Sequence, residues 1–364
     1  MIKKIFIFLT ILLLSSGCTK KNYEEISFSS WGSVTEVKII KKLLSDFEKQ
    51  NPNIKVNFIH IPQNYFQKIH MLLASNTAPD VIFINNLYLP LYEQHLESLN
   101  SHIEKQKYYK ASIEALSYEN KILAIPRDIS NLVFYVNLDL INLPKENYSI
   151  ENLLEICKEI TQNNRFGISY ENDIYWALPY LTYFGGGLYD KNLNNIFNTN
   201  ESQKGLVFYK DLKDKYKVAP TKSQVGSSTQ LQMFLDKKIA VYLSGRWSYP
   251  KIQEKANFNW SILEFPNGKN AQYADASGWA IYKKTKNKEA AIKLVKFLSN
   301  TENTKLFAET GLIVPANIEA SKYLNNKEHN QNVFLKVAQK STKTPVSKNY
   351  KKQVDFINSK FLDK

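Results

Sequence analysis

The chain is short of the residues that staple or metallate a fold. Only two cysteines, Cys18 and Cys157, occur in 364 residues, and the five histidines (His60, His70, His95, His102, His329) show no HExxH or comparable spacing. Zinc chemistry is therefore unsupported, no metal or cofactor is expected, and stability must come from packing. No Lys-Ser or Lys-Thr follows Gly185-Gly186-Gly187 at the Walker distance, so this glycine run is not a phosphate loop. Internal repeats and low-complexity segments are also missing.

What is present, 43% hydrophobic and 23% charged residues, is the composition of an ordinary folded soluble protein, and the length suits two compact lobes of roughly 150 residues each. Only the first residues depart from it. Lys3 and Lys4 precede an apolar run from Ile5 to Leu14, and Ser15, Ser16 and Gly17 lead to Cys18. That is the three-part plan of an export signal, and the run is too short to cross a hydrocarbon core of ~30 Å as a finished helix. Its small-residue ending before Cys18 resembles a bacterial lipobox, which implies a signal over 1–17 and lipidation of Cys18 at the head of a spacer, 18–25. An ordinary secretory signal with an incidental cysteine is the alternative. With Cys18 acylated, Cys157 has no partner; it falls on the apolar stripe Ile150, Leu153, Leu154, Ile160 and reads as a buried, inert thiol.

The formal charge is +14. Its lysines are scattered, with short clusters near the mature start and in Ser341 to Lys352, and no basic helix with interleaved aromatics occurs. This reads as solvated surface with no nucleic-acid partner, loose attraction to acidic lipid headgroups being the alternative.

Periodicity supplies the fold class. Ile26, Phe28 and Ser30 begin a strand running into Trp31-Gly32-Ser33. Val37, Ile40, Leu43, Leu44 and Phe47 make a helical stripe ended by Asn51-Pro52-Asn53. Ile54, Val56 and Phe58 alternate as a strand, Phe66, Ile69, Leu72 and Leu73 form another helix, and Val81 to Ile84 is a strand buried on both faces. This order predicts a parallel sheet and an α/β lobe. Extended segments at Ile122 to Pro126 and Leu132 to Asn137 look like a path out of it. Ser149 to Tyr216 reads as mostly helical. Apolar strands follow at Ile239 to Leu243, Trp260 to Phe265 and Trp279 to Tyr282, then a helix with Ala291, Leu294, Val295 and Leu298 on one face.

Several segments carry a family likeness. Ala78-Pro79-Asp80-Val81, Ile125-Pro126 followed by Tyr135-Val136-Asn137, Gly245-Arg246-Trp247, the helix Asn287 to Leu298, and Gly311 to Ala316 together resemble the family 1 extracellular solute-binding proteins of ABC importers, the group containing maltose-binding proteins. The likeness runs from about Ile26 to about Ala320. It implies an α/β, two-lobe periplasmic-binding-protein fold (type II-like) with several hinge crossings and a ligand cleft between the lobes. The expected lobes are 26–129 plus 276–318 and 130–275 plus 319–364. It further implies a non-enzymatic, lipid-anchored monomer that captures a mono- or oligosaccharide for membrane permease subunits.

In open α/β sheets the ligand lies beyond the carboxyl ends of strands, which points to Trp31, Asn85 with Asn86, and Trp247. From the resemblance come Asp128 and Ser130 after the crossover proline, Arg246, Tyr175 and Trp176 before the triple glycine, and Gly278 with Trp279. Aromatics would stack on pyranose faces while Asp, Asn and Arg bond hydroxyls. Core packing is the competing role for Tyr175 and Trp176, and a hinge salt bridge for Arg127 and Asp128. Arg127 and Arg246 would alternatively serve an anionic ligand, a sugar acid or glycerol 3-phosphate. A carbohydrate hydrolase would need facing carboxylates such as Asp128 and Asp173. A purely structural surface lipoprotein is the remaining class.

Overall fold

The alternation of Ile26 and Phe28, both fully buried, makes Glu24–Ser30 the first strand, β1, of the first lobe. Ser33 then starts the helix Val34–Gln50 with a reciprocal capping box to Glu36, and its stripe Ile40, Leu43, Leu44 and Phe47 is buried on the sheet. Each such side chain contributes about 1.5–3 kcal/mol of burial. The computed structural model describes residues 23–143, 148–162, 164–324 and 328–362; the signal 1–17 and Cys18 lie outside them.

In chain order the strands after β1 are β2 (Ile54–His60), β3 (Val81–Asn85), the short pair β4 (Ser117–Tyr118) and β5 (Lys121–Ile122), β6 (Ile125–Ser130) and β7 (Val133–Asn137). Then come β8 (Phe166–Ile168), β9 (Ile239–Ser244), β10 (Trp260–Leu263), β11 (Tyr273–Ile281), β12 (Val314–Pro315) and β13 (Thr342–Lys343). The large sheet has the order β12-β6-β11-β3-β1-β2, with β13 also paired to β11; the second sheet is β10-β7-β9-β8. β1 pairs in parallel with β2 and β3, joined by the helices Val34–Gln50 and Tyr65–Ala74, whereas β11 returns antiparallel between β3 and β6.

Two buried clusters correspond to two lobes. One draws on residues 26–125 and 276–316, the other on 132–265 and 346–362. A third, holding Ile129, Val133, Tyr135, Trp260, Val314 and Phe334, takes residues from both halves where the chain crosses between them. Cys157 is buried and free, and burial pushes its thiol pKa up, as an inert core thiol requires.

β11 starts six residues earlier than the apolar pattern indicates, at Tyr273 rather than Trp279. Its first half carries Asp275 and Ser277, which broke the hydrophobic run because they face an opening. β6 likewise extends through the polar Arg127 and Asp128. These two polar strand halves form the floor of the site.

Candidate functional site

Where β1, β3, β6 and β11 meet the second lobe, a cleft of about 390 Å³ is lined by Trp31, Glu36, Asn85, Leu87, Arg127, Asp128, Ser130, Tyr175, Trp247, Asp275, Ser277, Leu312 and Ile313. The lining follows from register. Ser277 pairs with Asn85 on one side and with Asp128 on the other, and Asp275 pairs with Ser130. Because strand side chains alternate, these five polar residues share one face. Asn85 Nδ2 donates to Ser277 Oγ at 3.2 Å, while Asn85 Oδ1 accepts from the Leu87 N–H at 2.9 Å.

The electrostatics of this floor are lopsided. Arg127 Nε donates to Asp128 Oδ2 at 2.7 Å and Arg127 Nη1 to Glu36 Oε1 at 3.3 Å, while Glu36 Oε2 accepts the Ser33 N–H at 2.9 Å. The guanidinium is thus engaged by two carboxylates and lies 4.4 Å above the Phe83 ring. Burial pushes the Asp128 pKa up, and Arg127 only partly offsets it. Asp275 is also buried, with its pKa raised by burial, and is held by Asn86 Nδ2 at 3.0 Å and by the Thr344 side chain. Three carboxylates therefore face one cation.

Aromatic walls stand on both sides of the floor. Trp31 is half-buried and wedged edge-on among Tyr65, Phe66 and Phe83 at 4.7–5.4 Å between ring centroids. Across the cleft, Trp247 is 40% exposed and meets Trp176 at 6.4 Å in an edge-to-face arrangement. Gly245 makes this position possible, since a Cβ there would sit 2.0 Å from the Trp247 ring. Tyr175 opens the helix Ile174–Tyr183, whose N-cap Asp173 accepts the Tyr175 N–H at 2.8 Å. Asn358, near the end of the chain, accepts the Ile174 N–H at 2.8 Å and donates to Asp173 at 2.9 Å, securing the same turn.

The structure thus gathers Trp31, Asn85, Asp128, Ser130, Tyr175 and Trp247 around one opening, with Trp176 behind Trp247. Three expected residues lie elsewhere. Trp279 is fully buried between Phe28 and Phe83: it shares the face of Ser277 but sits two residues further into the sheet, beneath the Arg127 guanidinium. Gly278 faces the other way at a bulge, where a Cβ would meet the Ile125 carbonyl at 2.2 Å; it is a close-packing position. Arg246 is not among the lining residues: it is buried over Tyr249 and Phe334 at 4.3 and 5.1 Å, with Nη2 beside Gly311, and its Nε and Nη1 have no partner among the described residues. Asp173 is spent on capping, so it does not face Asp128 as a second catalytic carboxylate would.

Glu36, Leu87, Asp275, Ser277, Leu312 and Ile313 escaped the sequence reading. For Asp275 and Ser277 a signal existed: Ala274-Asp275-Ala276-Ser277 alternates with period 2 immediately before Trp279.

Comparison with known proteins is consistent with this geometry. The chain is similar to a galactooligosaccharide-binding protein of Bacillus subtilis, 26% identical over 343 residues that cover 87% of this chain and 81% of the relative. It is also similar to a maltooligosaccharide ABC transporter solute-binding lipoprotein of Streptococcus pneumoniae, 28% identical over 222 residues covering 57% of this chain and 52% of the relative. Among solved structures, an ABC substrate-binding protein of Listeria monocytogenes in complex with cycloalternan superposes with a TM-score of 0.83 at 26% identity, covering 94% of this chain and 93% of that one. A family profile described as bacterial extracellular solute-binding protein matches residues 42–333, a stretch that holds every cleft residue except Trp31 and Glu36. With a two-lobe α/β fold, a polar floor between aromatic walls and a match over most of its length, the chain belongs to the bacterial extracellular solute-binding proteins.

Proposed function

We propose that this protein captures a neutral carbohydrate, a mono- or oligosaccharide, outside the cytoplasm and passes it to the permease subunits of an ABC importer. It does so as a monomer anchored through acylated Cys18, with lobes 26–129 plus 276–318 and 130–275 plus 319–364 closing over the ligand. The observation that carries this reading is the pairing of Trp31 on one lobe with Trp247 and Tyr175 on the other, across a floor of Asn85, Ser277, Asp128, Ser130 and Asp275. Aromatic faces suit the C–H surfaces of a pyranose, and carboxylates accept from its hydroxyls. The relatives named for oligosaccharides, one of them named a lipoprotein, support the same class.

An anionic ligand fits poorly. A sugar acid or glycerol 3-phosphate would bring its charge beside Glu36, Asp128 and Asp275, where the one cation, Arg127, is already engaged by two of them. Hydrolysis lacks support as well, since Asp128 is bound to Arg127 and Asp173 to a helix N-terminus.

The test is thermal denaturation and calorimetric titration of the chain from Cys18 onward against neutral oligosaccharides, monosaccharides, sugar acids and sugar phosphates. Ligand at a hundred times its dissociation constant adds about 2.7 kcal/mol to stability. At least one neutral saccharide should raise the melting temperature by several degrees. Silence across the panel with intact folding refutes the proposal, and a response to the phosphates alone reverses its charge argument.

A further inference from the structure

The helix Val34–Gln50 packs beside the helix Lys288–Leu298 on one side of the first lobe. Together with the connection at 283–287 they carry ten lysines against four carboxylates. Three of those carboxylates are already occupied: Glu36 bonds Arg127, Asp46 holds Lys49 at 3.1 Å and Glu48 holds Lys55 at 2.9 Å. Only Glu289 remains on these segments. Lys38, Lys41, Lys42, Lys283, Lys286, Lys293 and Lys296 are all exposed and have no ion-pair partner among the described residues. Such a face carries an excess of six positive charges.

Its position is as informative as its charge. Asn287, in the middle of the lysine run, donates to the Glu25 carbonyl at 3.0 Å, so the run lies against the first strand where the chain enters the fold. Glu24 and Glu25 lie at that same edge. Tyr23 is five residue steps from Cys18, a reach of at most about 18 Å when fully extended. An acyl chain on Cys18 would hold this end of the lobe that close to the bilayer, and the helix Val34–Gln50, which starts beside Trp31 at the other end of β1, carries the lysine face along one side of the lobe. A tether of this reach lets the lysines come within the Debye length of about 8 Å over which a surface potential acts.

We propose that the lysine face formed by residues 38–42 and 283–296 docks on an anionic phospholipid surface, setting the orientation of the tethered protein with this side of the first lobe against the lipid. This rests on the export and anchoring reading above but is tested without the acyl group. The chain from Cys18 onward, which keeps every described residue, carries Cys18→Ser and is sedimented with vesicles of phosphatidylcholine alone or with 30% phosphatidylglycerol.

The expected result is binding to the anionic vesicles only, weakening steeply between about 50 and 300 mM salt. Each lysine contributes a factor of about five, so Lys41→Gln, Lys42→Gln, Lys286→Gln and Lys293→Gln combined should lower binding at least a hundredfold. A control with Lys191→Gln, Lys217→Gln, Lys222→Gln and Lys251→Gln, on the second lobe and equal in net charge, should keep most of it. Equal losses in both variants, or no binding to phosphatidylglycerol by the parent chain, overturn the proposal. Capture of an acidic peptide in place of the vesicles also overturns it, pointing to a protein partner. Saccharide titration of the same variants separates the two readings: the lysine variant should bind sugar unchanged, whereas failure of sugar binding in the parent chain counts against the transport function alone.

Discussion

Truncating Trp247 to alanine tests the site most directly, because its ring is the largest apolar surface left uncovered in the cleft. A tryptophan side chain offers up to ~250 Å² of contact area, and 40% of Trp247 is exposed, so about 100 Å² awaits a ligand. At ~25 cal/mol per Å² that area is worth about 2.5 kcal/mol when a sugar face covers it, or roughly a seventyfold change in dissociation constant. The covered part of the ring rests on Gly245 and on the edge of the half-buried Trp176, and the ring itself is only partly covered, so the cost to folding should stay below the ~3–5 kcal/mol of a core aromatic deletion. Calorimetric titration with the tightest saccharide found, beside a denaturant melt, measures both quantities. A dissociation constant within threefold of the parent refutes the stacking role; a collapse of the fold places Trp247 in the core.

Trp279→Leu should behave in the opposite way, losing about 2–4 kcal/mol in a denaturant melt while the saccharide dissociation constant changes less than fivefold, because the ring lies beneath Arg127 among Phe28 and Phe83. Gly245→Ala should weaken binding at least tenfold with folding retained, since the new Cβ displaces the Trp247 ring; titration reads it directly. Asp275 has a folded-state pKa raised by burial, so the native state holds its proton more tightly than the unfolded chain. The stability of the parent should therefore fall as pH rises from the unfolded carboxylate value of ~4 through the folded one. Asp275→Asn should lessen that slope, Asp128 keeping a share of the same sign, so the variant gains on the parent toward neutral pH in melts taken from pH 4 to 8.

Much of the first lobe was legible because its strands are buried on both faces and its helices carry clean stripes: Val81 to Ile84 and the stripe Ile40, Leu43, Leu44 and Phe47 leave little choice. The cleft was legible where polar or aromatic residues cap apolar strands, as Trp31, Asn85 and Trp247 do. It was illegible where function interrupts periodicity. Asp275 and Ser277 hid half of β11, and Glu36 looks like an ordinary capping-box residue until its other oxygen is seen on Arg127. Trp279 and Arg246 misled for a different reason. Sequence gives the face of a strand but not the depth along it, and a buried guanidinium resting on two rings leaves no trace in spacing.

The last stretch of chain carries a consequence for timing. Thr344 holds Asp275, β13 adds to the edge of β11, and Asn358 caps the helix that presents Tyr175. The floor of the pocket and its Tyr175 wall thus wait on residues synthesised after most of both cores. A polypeptide emerging stepwise through an export channel would acquire most of its hydrophobic core before it gained any competence to hold a solute, so nothing would be trapped in transit.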